Sequence, residues 1–77
     1  MAIRVRYFAS LRERMGRAED RLDVGRITTV EDVWRKVSGE RALPANTLMA
    51  INMQYADSTQ RVCDGDEVAF FPPVTGG

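Results

Sequence analysis

The feature that most constrains this chain is a strand-like segment that runs directly into two prolines close to the last residue of the sequence. Residues 68–71 read Val-Ala-Phe-Phe, the β-branched and aromatic content typical of a buried strand. Pro72 and Pro73 have no amide hydrogen and hold φ near about −65°, so the strand has to end at about Phe71. Residues 73–77 are then expected to be an extended, exposed tail that reaches roughly 15 Å at ~3.1 Å per residue.

A glycine pair, Gly76-Gly77, ends this tail. Because glycine has no Cβ atom, it lets the backbone lie in a narrow channel and leaves the terminal acyl carbon open to attack. These properties suit a carboxylate that one enzyme activates and a nucleophile then attacks. A terminus that is merely flexible is the plain alternative. The position of the pair behind a strand and a proline spacer favours the chemical interpretation, so the Gly77 carboxylate is the candidate reactive group.

Size and composition restrict the class of protein. The chain has 77 residues, 44% of them hydrophobic and 29% charged, as expected for one small soluble domain. Its eleven basic and eleven acidic residues cancel, so we expect no nucleic-acid partner. No apolar run approaches the ~20 residues of a membrane span, and the first residues lack the pattern of a signal peptide. With a single cysteine and no internal disulfide, a cytoplasmic location is expected.

The first part of the chain predicts a hairpin that carries a short helix. Residues 3–8 alternate as a half-buried strand does, with Ile, Val and Tyr on one face. Residues 10–13, Ser-Leu-Arg-Glu, fit a capping box, which predicts a short helix closed by Gly16. Residues 21–24 alternate again with Leu and Val inward, so they are expected to pair with the first strand.

The main helix is predicted to start after Thr29, whose side chain can cap it. Its apolar residues recur at i, i+3, i+4 and i+7 and have to face the sheet; they are Val30, Val33, Trp34 and Val37. We assign Trp34 and the methionines to the core or to a helix flank. Ser38-Gly39 ends the helix.

The remaining segments are shorter. Residues 40–47 are predicted to be a loop, 48–51 a buried strand, and 53–55 a turn into a short edge strand. Cys63 is expected to be a small, half-buried residue of a brief strand segment. Residues 64–66, Asp-Gly-Asp, indicate a tight turn. They lack the long ligand series of a calcium loop, so no metal site is expected.

This order of elements fits an α+β architecture of the β-grasp, or ubiquitin-like, kind. In that architecture a mixed sheet packs on one main helix, and the first and last strands run parallel in the middle of the sheet. We expect the β-grasp domain to span residues 1–72 and the flexible C-terminal Gly-Gly tail to span residues 73–77.

Residues 64–77, Asp-Gly-Asp-Glu-Val-Ala-Phe-Phe-Pro-Pro-Val-Thr-Gly-Gly, closely resemble the β-grasp sulfur-carrier family, in particular the small subunits of molybdopterin synthase. The likeness extends to residues 4–9, 29–31 and 50–52 at matching spacing, so it covers most of the chain. A bare terminal Gly-Gly would also suit thiamine-type carriers and ubiquitin-like modifiers. The whole motif of residues 64–77 is more specific for the molybdopterin synthase small subunits than the glycine pair alone.

The resemblance implies a cycle of sulfur transfer in molybdenum cofactor biosynthesis. A partner adenylyltransferase uses ATP to activate the Gly77 carboxylate, a sulfur donor system converts it to a thiocarboxylate, and the cyclic pyranopterin precursor receives the sulfur. The tail that enters a pocket of the large synthase subunit consists of Pro73, Val74, Thr75 and Gly76. The chain itself is expected to bind no cofactor and to be a non-catalytic carrier subunit. The catalytic groups are expected on the large subunit, in a heterotetramer of two small and two large subunits.

A partner interface is predicted beside the root of the tail. If the first and last strands are neighbours, strand parity places Phe8 and Phe71 together on the outward face of the sheet, next to Pro72. The alternative is that Phe8 and Phe71 only cover the second face of the sheet. Arg4 and Arg6 share this outward face; they could meet acidic partner surfaces, but solvation is the favoured interpretation.

Three rival functions stay open at this point. The chain could carry sulfur for thiamine or for tRNA thiolation, or it could be a ubiquitin-like modifier whose Gly77 ends in an isopeptide bond. Cys63 could carry sulfur as a persulfide, although the sequence has no histidine that could activate its thiol. The Phe-Phe-Pro-Pro-Val-Thr segment favours the molybdopterin role over the other carriers and over the modifier.

Overall fold

The computed structural model of the protein describes residues 2–23, 25 and 29–73. Within these residues the elements are, in chain order, β1 (Ala2–Tyr7), α1 (Ala9–Met15), β2 (Glu19–Asp23), α2 (Val30–Ser38), β3 (Leu48–Ile51), β4 (Gln54–Ala56) and β5 (Glu67–Phe71). The strands form a mixed sheet in the order β2-β1-β5-β3-β4, in which β1 and β5 run parallel and all other neighbours antiparallel. The predicted β-grasp architecture, with the first and last strands as parallel neighbours, is confirmed.

One face of this sheet forms the core together with both helices. β1 alternates as predicted, because Ile3, Val5 and Tyr7 are buried and the arginines between them are exposed. On β5 the buried pair is Val68 and Phe70. These side chains belong to the same cluster as the buried residues of α1 and α2. The opposite face is therefore the one that no helix covers within the described part of the chain.

The main helix is stabilised at its start as the sequence predicts. The Asp32 amide donates a hydrogen bond to Thr29 Oγ1 at 3.2 Å, and the Thr29 amide donates to Asp32 Oδ2 at 3.1 Å. This reciprocal capping box satisfies two amides that a helix start otherwise leaves unpaired. The buried residues Val30, Val33 and Trp34 face the sheet, with Val37 partly buried against the same core. α2 ends at Gly39, which has φ 74°.

The capping box predicted over residues 10–13 is wrong. α1 begins at Ala9, and its N-cap is Phe8, whose side chain makes no capping hydrogen bond. Phe8 is still extended, with φ −126° and ψ 152°, and its carbonyl accepts two amides of the first turn at 3.1 and 3.4 Å. The strand conformation at Phe8 therefore sets the start of the helix. The predicted end at Gly16 is confirmed, since this residue has φ 74°.

The hairpin of β1 and β2 is confirmed, with Ala2 opposite Asp23 and Arg6 opposite Glu19. Leu22 is partly buried against the core, as predicted. The inward position predicted for Val24 lies outside the described residues.

Two predictions about single side chains are wrong. Cys63 is exposed and lies between elements, because its amide donates to Asp66 Oδ2 at 2.7 Å in the turn before β5. Met53 is 93% exposed in the turn between β3 and β4, where its φ is 69°. Met15 and Met49, in contrast, pack against the core as predicted.

Candidate functional site

The end of β5 is the base from which the predicted tail starts. β5 is paired with β1 on one side and with β3 on the other, so hydrogen bonds hold it on both edges. It ends at Phe71, as predicted, and is followed by a half-buried Pro72 and an exposed Pro73. The predicted tail residues Val74, Thr75 and Gly76 and the reactive Gly77 lie outside the described residues.

An aromatic surface, which we define as Phe8, Tyr55 and Phe71, lies beside the end of β5. The ring centroids of Phe8 and Phe71 are 6.5 Å apart with the ring planes at 83°, an edge-to-face contact. The Tyr55 and Phe71 centroids are 5.9 Å apart. Phe8 is 41% exposed and Tyr55 76% exposed. The structure thus brings Phe8 and Phe71 together, as strand parity predicted.

Hydrogen bonds of the backbone hold Phe8 on the sheet although it lies beyond the end of β1. The Phe8 amide donates to the carbonyl of Phe70 at 3.2 Å, which continues the parallel ladder between β1 and β5. Phe70 points into the core and is fully buried. The neighbouring Phe71 therefore points to the uncovered face, where it meets Phe8.

Tyr55 is the member of the aromatic surface that sequence reasoning missed. In the strand register, Tyr55 is opposite Ala50, and Ala50 is opposite Ala69. These small residues lie on the uncovered face, and the tyrosine ring extends over the middle of the sheet to reach Phe71. The pairing of β3 with β4 could have indicated this position, but the sequence alone did not give the register.

The two outward arginines of β1 have different surroundings. The Arg4 guanidinium is 3.9 Å from a Glu19 oxygen and 3.8 Å from a Glu67 oxygen. The Arg6 guanidinium carbon is instead 5.3 Å from the centroid of the Phe8 ring, in a cation–π contact. Arg6 is therefore part of the margin of the aromatic surface.

A polar network at the edge of the core involves a perturbed tyrosine. The Tyr7 hydroxyl donates to Asp20 Oδ2 at 2.8 Å, and Arg17 is hydrogen-bonded to the same carboxylate. Burial and then the bond to Asp20 raise the pKa of Tyr7 above its ordinary value, and the bond to Asp20 raises the pKa of Arg17. Arg17 also donates to the Val37 carbonyl at 3.0 Å. The network joins the hairpin to the end of α2, and Tyr7 is only 2% exposed, so we interpret it as structural.

The described residues contain no cluster of three or more carboxylate or thiol side chains that could hold a metal ion. In the same part of the chain, no helix has the length and hydropathy needed to cross a membrane.

Comparisons with known proteins agree with this geometry. The model of the ThiS family matches residues 5–77. The molybdopterin synthase sulfur carrier subunit of Escherichia coli is 38% identical over 82 residues, which cover 97% of this chain and 99% of the relative. The protein of the same name from Chlamydomonas reinhardtii is 34% identical over 83 residues, with full coverage of both chains. Among solved structures, SAMP1 from Haloferax volcanii superposes with a TM-score of 0.83 at 28% identity and covers 100% of both chains.

Proposed function

We propose that this chain, which belongs to the ThiS family, is a sulfur carrier for the biosynthesis of the molybdenum cofactor. The observation that carries the proposal is the full-length identity of 38% and 34% to two molybdopterin synthase sulfur carrier subunits. The β-grasp architecture and the proline-limited end of β5 are consistent with it.

The proposed reactive group is the carboxylate of Gly77. A separate adenylyltransferase transfers AMP from ATP to this carboxylate and releases pyrophosphate, because an unactivated carboxylate oxygen is a poor leaving group. Sulfur from a donor system then displaces AMP and leaves a thiocarboxylate. Its sulfur attacks the cyclic pyranopterin precursor, and hydrolysis of the acyl–sulfur bond restores the carboxylate. The match of the family model up to residue 77 supports this assignment.

In this proposal the chain supplies a tethered reagent, and its partners supply the catalytic groups. The tail residues Pro73, Val74, Thr75 and Gly76 insert into the large synthase subunit. The aromatic surface, followed by Pro72, docks beside the entrance to that pocket. The curated relatives are named as subunits, which supports a second kind of subunit; we propose two small and two large subunits, assembled in the cytoplasm. The chain binds no cofactor of its own.

Intact mass spectrometry tests the proposal. The protein is coexpressed with its adenylyltransferase and a sulfur donor, and the C-terminal peptide is analysed separately. We expect the mass change of one oxygen replaced by sulfur, confined to that peptide, and we expect a variant without Gly77 to show none. A mass gain located on Cys63 would contradict the proposal.

A second candidate function is that of a ubiquitin-like protein modifier. The likeness to a solved structure of the H. volcanii small archaeal modifier protein 1, at 26% identity and a TM-score of 0.79, favours it. In that case Gly77 becomes linked to lysine amines of other proteins. The same mass spectrometry distinguishes the two functions, because an isopeptide-linked product gives branched peptides and a carrier gives a thiocarboxylate.

A further inference from the structure

We infer that the partner covering the aromatic surface presents a carboxylate to Arg6, and that this contact selects the partner. The partner is the large synthase subunit, so the inference rests on the proposed function. It adds the chemistry of the contact: an apolar patch over Phe8 and Phe71 with an Asp or Glu at its margin.

The first argument is the position of the Arg6 side chain. Its guanidinium carbon is 5.3 Å from the Phe8 ring centroid, and Phe8 is 41% exposed. A guanidinium stacked on a ring keeps the N–H donors of its edge free, and two of them match the two oxygens of a carboxylate. Any surface that covers Phe8 therefore also approaches the donors of Arg6.

The second argument is the comparison with Arg4, which lies two residues earlier on the same face. Glu19 and Glu67 both lie within 4 Å of the Arg4 guanidinium. In the strand register Glu19 is opposite Arg6, not Arg4, yet its ion pair is with Arg4. Among the described residues, none provides a carboxylate at ion-pair distance from Arg6. Within the described part of the chain, the exposed Arg6 guanidinium thus contacts the Phe8 ring and is otherwise hydrated.

The third argument is the effect of docking on this hydration. A partner surface that packs on Phe8 removes water from Arg6, and an unpaired charge without water is strongly unfavourable. A carboxylate opposite Arg6 replaces the lost water with two charge-assisted hydrogen bonds. A surface of similar shape without the carboxylate is rejected, which is how an unpaired charge gives specificity.

The experiment compares Arg6→Leu with the matched variant Arg4→Leu in binding to the large subunit, measured by surface plasmon resonance. We expect Arg6→Leu to weaken binding about tenfold or more, mainly through faster dissociation, because it leaves the partner's carboxylate covered and unpaired. We expect Arg4→Leu to change the affinity by less than about threefold, since its charge is already paired within the chain. Thermal unfolding of each variant checks that both remain folded.

The direction of the Arg6→Leu effect is decisive. If the partner offered only apolar groups, leucine would bind as tightly as arginine or more tightly, and the inference would be refuted. If Arg6→Leu and Arg4→Leu reduced the affinity for the large subunit equally, the inference would also be refuted, because an equal loss would indicate a general effect of charge.

A charge exchange locates the partner group. Arg6→Glu is combined with large-subunit variants in which single Asp or Glu residues are changed to Lys, and one combination is expected to restore binding. Failure of every combination overturns the inference. The proposed function fails separately, since sulfur loading of Gly77 is measured on the unaltered protein and does not depend on Arg6.

Discussion

Phe8→Ala is the substitution that tests the docking surface most directly, because it has two separate expected effects. A phenylalanine presents about 200 Å² of surface that can be buried. In the free protein 41% of Phe8 is exposed, so a partner can cover about 80 Å² more. At ~25 cal/mol per Å², this area corresponds to about 2 kcal/mol of binding free energy, or roughly 30-fold in Kd.

The part of Phe8 that is already covered, about 120 Å², stabilises the free protein through contacts with Phe71 and Arg6. The same conversion gives at most about 3 kcal/mol lost from the free energy of unfolding. A domain of this size is stable by roughly 4–12 kcal/mol, so the variant is expected to remain folded at 20 °C. The effects on binding and on stability can therefore be measured on one sample.

The assay is isothermal titration of the large subunit with Phe8→Ala, alongside chemical unfolding of the free variant. Met53→Ala is the control, because Met53 is also an exposed apolar side chain, with 93% of its surface accessible. It follows the end of β3, and this end of β3 pairs with the start of β5. Met53 is therefore not beside Phe71, where β5 ends. We expect the control to bind within about twofold of the unaltered protein. If Phe8→Ala loses stability as calculated but binds the large subunit as before, the aromatic surface is not the docking site.

Three further predictions concern single side chains. Tyr7→Phe removes the bond to the partly exposed Asp20 and is expected to lower the free energy of unfolding by about 1 kcal/mol at pH 7. Because the fold raises the pKa of Tyr7, the unaltered protein should lose stability as the pH rises above 10.0, the ordinary pKa of tyrosine. Tyr7→Phe should lack this loss. Chemical denaturation of both proteins at pH 7.5 and about 11 measures the difference. Thr29→Ala removes half of the capping box and should lower Tm by about 4–8 °C in calorimetry, whereas Thr29→Ser should not. Cys63→Ser should load sulfur at an unchanged rate, and loss of loading in mass spectrometry would identify the thiol as the carrier instead.

Features governed by near neighbours in the chain could be predicted from the sequence. The prolines that follow Phe71 end β5 whatever surrounds them, since they cannot continue the hydrogen-bond ladder. Thr29 caps α2 with a residue only three positions away. The alternation along β1 predicted which of its side chains are buried. Each of these features depends on local backbone geometry, so the sequence was sufficient.

Two predictions failed where a hydrogen bond overrides the local pattern of apolar residues. The start of α1 moved to Ala9 because β5 keeps Phe8 in the sheet. Cys63 was predicted to be half-buried, but Asp66 binds its amide and turns the chain there. The first of these hydrogen bonds joins strands that are far apart in the chain. The second joins residues only three positions apart, but the pattern of apolar residues does not indicate it.

The sequence by itself therefore determined the β-grasp architecture, the capped main helix and the chemistry expected of the Gly-Gly tail. Only the tertiary structure decided that Tyr55 joins Phe8 and Phe71, and that Arg4 is paired while Arg6 lies over a ring. The physical reason is the register between strands that are far apart in the chain. It determines which side chains are neighbours across the sheet, and alternation along one strand shows only which face each side chain occupies.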